Sequence, residues 1–258
     1  MADQIQLNSS KLGTQEYWNE FYKKEQQNFK DNEEDTGECW FDDSDAEAKM
    51  IEFIIKHINE ESLPDASLSP KSELSFLDIG TGNGHLLFQL HEDLQEELEQ
   101  PEKQSFKFHG IDYSPDSITF AKDIAATKYK ENRNFAFDQV DLLSPTESFL
   151  ESQKFDILLD KGTLDAIALN QDPLVEFNNK RGMCVYAQQV VKMMKTDSVL
   201  LITSCNFTEQ ELVTLVTQDT DLKVWDKIKY PNFSFGGVDG STVVSIAFTK
   251  TKTKTETD

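Results

Sequence analysis

Leu77-Asp78-Ile79-Gly80-Thr81-Gly82-Asn83-Gly84 is the stretch that decides the fold. It reads as a buried strand, supplied by Ser75, Phe76, Leu77 and Ile79, that turns through three glycines into a helix. Leu86, Leu87 and Leu90 give that helix its apolar spacing. Glycine permits positive φ and lets backbone approach a ligand with no Cβ in the way. A turn of this kind, opening a helix N-terminus, suits a nucleotide-type cofactor. A dinucleotide fingerprint requires glycine at its first, third and sixth positions, and here the sixth is His85. The spacing therefore points away from a dinucleotide.

Working outward, the 258 residues suit one α/β domain or a domain with a small appendage. No run approaches the roughly 18 apolar residues of a membrane span. The start, Met1-Ala2-Asp3-Gln4, lacks a basic and then apolar leader, so no secretory signal is expected. Cys39, Cys184 and Cys205 lie far apart, which favours free thiols in a reduced, cytoplasmic setting. His57, His85, His91 and His109 show no metal-type spacing, and no metal is expected. There are 47 Asp and Glu against 25 Lys and Arg, a formal net charge of −22. That balance argues against a nucleic-acid partner, since phosphate binding needs cationic side chains. Solubility explains much of such a charge, and a basic macromolecular partner is the sharper reading.

Residues 14–29 place Tyr17, Trp18, Phe21 and Tyr22 at helical spacing. A second helix is expected from Ser44, with Met50, Ile54 and Ile58 on one face. Residues 63–72 read as a loop. Strands are then expected at 106–112, 134–140, 155–160, 198–204, 222–230 and 242–249, most of them separated by helices. Ser114-Pro115 marks one helix start, and Thr208 to Glu211 forms a capping box at another. The alternation predicts a Rossmann-like α/β fold: a mostly parallel, seven-stranded sheet with helices on both faces. The last two strands, with no helix between them, predict an antiparallel addition at one edge. The boundaries are 1–72 for an N-terminal helical extension and lid, 73–250 for the cofactor-binding core and 251–258 for a disordered tail.

The G-x-G-x-G pattern resembles motif I of the methyltransferases that use S-adenosylmethionine (SAM) and share a Rossmann-like core. On that reading, Asp112 at the end of the second strand accepts both ribose hydroxyls, a charge-assisted contact. The interval from Gly84 to Asp112 exceeds the roughly 20 residues of a nucleotide-binding unit, and a loop insertion at 92–103 is expected to absorb the excess. Asp141, with Leu142 beside it, is favoured over Asp138 for the adenine amine. Asp78 is expected to orient the turn and the cofactor's ammonium. Thr81, Asn83 and Tyr113 complete the expected cofactor wall with Gly80, Gly82 and Gly84. Asp160, ending the fourth strand, is the expected catalytic residue at the acceptor mouth, with contact to the cofactor's amino group as the alternative. No Asn-Pro-Pro-Tyr type motif follows it, which disfavours a planar nitrogen acceptor and favours an aliphatic amine. Trp40 and Phe41 would wall a lysine channel, or else cover the sheet edge. Phe235 would shape the acceptor groove, or else belong to a hairpin.

Seven segments together are similar to a narrower group. They are SKLGTQEYWNEFY (10–22), DTGECWF (35–41), LDIGTGNG (77–84), GIDYSPDSI (110–118), LDKGTLDAIALN (159–170), LITSCNFT (201–208) and FSFGG (233–237). The chain resembles the seven-β-strand lysine methyltransferases that modify translation elongation factor 1A, and looks like a fungal member. The resemblance covers about residues 9–249. It implies SAM as methyl donor, S-adenosylhomocysteine as product, an internal lysine of elongation factor 1A as acceptor, and a cytoplasmic location. A monomer is the default expectation. Apparent loop additions at 65–72 and 92–103 depart from the family pattern. The alternatives are methylation of another protein or of a small-molecule amine, and a SAM-binding interaction protein without catalysis.

Overall fold

The computed structural model describes residues 5–64, 73–100, 104–230 and 243–250, with the backbone alone of 233–235 and 238–240. Two helices precede the sheet: α1 (Gln15–Asp31), capped by the Thr14 hydroxyl, and α2 (Ala46–Asn59). The order is then β1 (Glu73–Ile79), α3 (His85–Glu97), β2 (Ser105–Asp112), α4 (Pro115–Lys128), β3 (Phe135–Gln139), α5 (Phe149–Ser152), β4 (Phe155–Lys161) and α6 (Thr163–Ala168). A small ribbon, β5 (Pro173–Leu174) with β6 (Lys180–Arg181), leads into α7 (Gly182–Val190). After it come β7 (Met194–Ser204), α8 (Glu209–Thr217), β8 (Leu222–Ile228), β9 (Phe233–Phe235), β10 (Val238–Gly240) and β11 (Val244–Lys250).

Seven strands form one sheet in the order β3-β2-β1-β4-β7-β11-β8. The pairs from β3 through β7 are parallel, and β11 runs antiparallel to both β7 and β8. The antiparallel addition therefore lies at the expected edge, with β8 outermost. The pleat explains the two cores. Leu77, Ile79 and Leu158 enter one cluster with Met183 and Tyr186, while Phe76, Ile157 and Leu159 enter the other with Ile54, Leu87 and Phe120. Both faces of the central strands β1, β4 and β7 are covered, which is why they are apolar at successive positions, whereas the edge strands β3 and β8 are largely exposed.

Chain order runs outward from β1 through β2 to β3 in one direction and from β4 to β7 in the other. The crevice beyond their carboxyl ends is where such sheets bind ligands. The register brings Ile79 beside both Ile111 and Asp160, so the loops after β1, β2 and β4 leave the sheet at one level.

Two expectations are corrected or bounded. The acidic segment at 92–103 is not simply a loop: α3 continues to Glu97, because Leu90 and Leu94 keep an i, i+4 apolar stripe buried while the acids face water. Phe233–Phe235 (β9) and Val238–Gly240 (β10), which follow β8 and precede β11 in the chain, pair as their own antiparallel ribbon. The Phe235 side chain, the loop at 65–72, residues 101–103 and the tail at 251–258 lie outside the described residues.

Candidate active site

The glycine turn is held from beneath by β2. Gly80 and Thr81 both donate their N–H to the Ile111 carbonyl, at 2.8 and 2.9 Å. Asp112 clamps the turn from the side: one carboxylate oxygen accepts from Gly82 N at 3.1 Å, the other from Ser114 N at 2.9 Å. Burial raises the Asp112 pKa, and those N–H donors oppose the rise. Gly82 has φ +57°, and a Cβ there would collide with the Tyr22 hydroxyl of α1. Glycine is thus required twice over at this position, by backbone conformation and by the approach of an aromatic side chain.

From this turn a cavity of about 330 Å³ extends to the ends of β4 and β7. Asp78, Asp112, Tyr113, Asp141 and Leu142 line one part, and Thr163, Asp165, Cys205 and Asn206 another. Glu38, Cys39, Trp40 and Phe41 also line it. The segment carrying them is fastened to the core by polar contacts to its backbone. Asn83 Nδ2 donates to the Thr36 carbonyl at 2.9 Å, and Lys161 Nζ donates to the Trp40 carbonyl at 2.8 Å. The Trp40 ring meets Trp18 and Phe21 of α1 edge-on, with centroids 5.3 and 5.9 Å apart. Phe41 packs against Gly162, where a Cβ would sit 2.6 Å from its ring.

Glu47 of α2 joins this segment to the core. Its Oε1 lies 2.5 Å from His85 Nδ1, its Oε2 lies 3.4 Å from Lys161 Nζ, and Cys39 Sγ donates to Oε2 at 3.6 Å. Hydrogen bonding to Cys39, and then to Glu47, raises the His85 pKa to about 10. The structure therefore gathers Cys39, Glu47 and His85, with donor atoms within 4.8 Å of one another, although their sequence positions gave no such grouping.

Comparison with known proteins shows the family. A methyltransferase-domain family model matches residues 70–254. Protein-lysine N-methyltransferase EFM4 of Saccharomyces cerevisiae is 45% identical, the match covering 97% of this chain and 99% of that protein. Its Schizosaccharomyces pombe counterpart, efm4, is 36% identical, over 94% and 95% of the two chains. EEF1A lysine methyltransferase 2 of Mus musculus is 33% identical, over 93% and 84%. The chain belongs to this lysine methyltransferase family.

Within this methyltransferase, the sequence-derived cofactor residues converge. Asp78, Gly80, Thr81, Gly82, Asn83, Asp112, Tyr113, Asp141 and Leu142 all line the cavity, and Gly84 caps α3 directly behind the turn. Asp141 is in the lining, whereas Asp138 is engaged by His109 at 2.8 Å. Trp40 and Phe41 line it too. Asp160 differs from expectation. It is fully buried and is not among the lining residues. Its oxygens accept from Thr163 N at 2.8 Å, from Leu164 N at 3.1 Å and from the Tyr186 hydroxyl. Asp160 secures the N-terminus of α6 from inside the core, so the acceptor-mouth geometry expected of it is absent.

Sequence reasoning missed several members of the site. Asp165 lines the cavity and holds the corner after β7, accepting from Ser204 Oγ at 2.5 Å and Cys205 N at 2.8 Å. Tyr22, His85 and Lys161 line it as well. The one available signal was the position of Lys161 and Asp165 inside the DKGTLDA segment.

Proposed function

We propose that this methyltransferase transfers a methyl group from SAM to a lysine side chain of translation elongation factor 1A. The observation that carries the reading is the cavity. It has the glycine turn and Asp112 in one wall, the ends of β4 and β7 in another, and an aromatic segment beside them, in a chain whose relatives are named for lysine methylation. The net charge of −22 supports a basic protein partner and opposes nucleic acid.

The residues present fit SAM. Asp112 spends one lone pair on Gly82 N of the turn and one on Ser114 N at the start of α4, and keeps others for vicinal ribose hydroxyls. Asp141 and Leu142 offer an acceptor and an apolar face for adenine. Asp78, whose carboxyl burial pushes up to about 7, would take an ammonium. SAM, when bound, supplies a methyl carried on positively charged sulfur and so already activated for in-line displacement.

The chain's own contribution is positioning and exclusion of water. A lysine ammonium must lose a proton to attack, at a cost of about 4–5 kcal/mol near neutral pH from its usual pKa of roughly 10.4. Entry between Trp40 and Phe41 would desolvate the ammonium and lower that cost. Asp165, Cys205 and Asn206 form the polar wall on the β7 side, while Asp160 maintains α6 as a positioning residue. Residues 1–72 act as the extension and lid, and 73–250 as the catalytic core. The protein acts as a cytoplasmic monomer in this reading. Among the described residues, no helix is long and apolar enough to cross a membrane.

Mass spectrometry of elongation factor 1A incubated with the protein and isotopically labelled SAM tests the proposal. Label on an internal lysine is expected. Absence of label, with SAM binding shown separately, would move the substrate to another protein or amine.

A further inference from the structure

Lys161 follows Asp160 on β4, and the pleat separates their side chains. Asp160 enters the core, whereas Lys161 lines the cavity with its side chain 12% exposed. Among the described lining residues, Lys161 and His85 are the cationic ones. They share a single carboxylate, that of Glu47, at 3.4 and 2.5 Å. Hydrogen bonding to Cys39 and to Glu47 raises the His85 pKa to about 10 and so favours its imidazolium, and Lys161 meets the same carboxylate at its other oxygen. This occurs in a chain of net charge −22.

Two cationic side chains that share one buried carboxylate leave positive charge for a further anion to meet. Asp78 lines the same cavity, and the β1–β4 register pairs it with Leu159, two residues before Lys161. The cavity therefore presents a cationic pair and a buried carboxyl together. A zwitterionic amino-acid group is the ligand chemistry that satisfies both at once.

We propose that Lys161, with His85 beside it, receives the carboxylate of the cofactor's amino-acid end while Asp78 receives its ammonium, and that Glu47 holds the two cations in place. The inference rests on SAM as the cofactor. It also gives Lys161 a second task. The same ammonium donates to the Trp40 carbonyl, so carboxylate binding and placement of the Trp40–Phe41 wall act through one side chain. Glu47 is a positioning residue here, for it reaches the ligand only through Lys161 and His85.

Calorimetry with S-adenosylhomocysteine and with methylthioadenosine, which lacks the amino and carboxylate groups, separates this role from simple support of the lid. Wild type is expected to prefer S-adenosylhomocysteine. Lys161→Met is expected to weaken that ligand by ~30-fold, the scale of one charge-assisted hydrogen bond, with methylthioadenosine changing by less than ~3-fold on the same scale. Lys161→Arg should recover most of the lost preference. Equal weakening of both ligands would make Lys161 a support of the lid alone and overturn the inference. Equal affinity of wild type for the two ligands would also overturn it, leaving SAM as cofactor. Binding of neither ligand by folded wild type would overturn the SAM reading itself. Should Lys161→Met fail to fold, His85→Gln reads the same ratio, and an unchanged preference there rejects the pair as the carboxylate site.

Discussion

The Tyr186 hydroxyl donates to the Asp160 carboxylate inside the core, joining α7 to the end of β4. Both residues are buried, at 1% and 0% exposure, so each group depends on the other for part of its hydrogen bonding. Tyr186→Phe is expected to destabilise the fold by about 2 kcal/mol, the scale of a hydrogen bond to a charged or half-charged group. Urea denaturation measures this. S-adenosylhomocysteine affinity should stay within ~3-fold of wild type, because neither Tyr186 nor Asp160 is itself a lining residue and Asp160 keeps its bonds from Thr163 N and Leu164 N. An Asp160→Asn variant that keeps its stability yet loses turnover would return Asp160 to the acceptor site.

Asp112 has the opposite character, since it joins structure and ligand directly. Its carboxylate holds Gly82 N and Ser114 N while lining the cavity. Asp112→Ala should lower S-adenosylhomocysteine affinity by ~100-fold, from two lost charge-assisted hydrogen bonds. Calorimetry, with circular dichroism to verify folding, provides the measurement. Unchanged affinity would remove Asp112 from the cofactor site.

The glycine turn was legible because its demand is local. Positive φ at Gly80, Gly82 and Gly84 follows from the chain's need to reverse within a few residues. Asp112 was legible for a related reason: it stands where the neighbouring parallel strand must end. The orientation of Asp160 was not. Ile157, Leu158 and Leu159 are apolar without alternation, as expected when both faces of a strand are covered. The pattern thus carries no phase from which to tell a core-facing Asp160 from a cavity-facing Lys161. Glu47, His85 and Lys161 were hidden differently. They come from α2, α3 and β4, and only the packing of the N-terminal helices against the sheet brings them together.

The contacts of His85 with Cys39 and Glu47 link stability to pH. The folded protein raises the His85 pKa from 6.5 to about 10, so it binds the proton more tightly than the unfolded chain. The resulting stabilisation is fully present below about 6.5 and is lost as pH rises toward 10. Thermal melts between those limits should show wild type losing stability relative to His85→Gln as pH increases. Parallel curves for the two proteins would mean that His85 is not held protonated.

Asp78 makes a second pH-dependent prediction, this time for binding. Burial raises its pKa to about 7 in the free protein, so below that pH the carboxyl is largely neutral. An ammonium at Asp78 favours the ionised form and lowers its pKa. Binding then releases a proton, and S-adenosylhomocysteine affinity should rise by up to ~10-fold per pH unit below about 7. The ligand's own α-amino group stays protonated until about pH 8, so it does not mask the slope. Calorimetry in two buffers of different ionisation enthalpy counts the proton directly. Asp78→Asn has nothing to release and should flatten the slope while weakening binding at neutral pH. A wild-type affinity that is constant below pH 7, with no buffer-dependent heat, would place the ammonium elsewhere in the cavity.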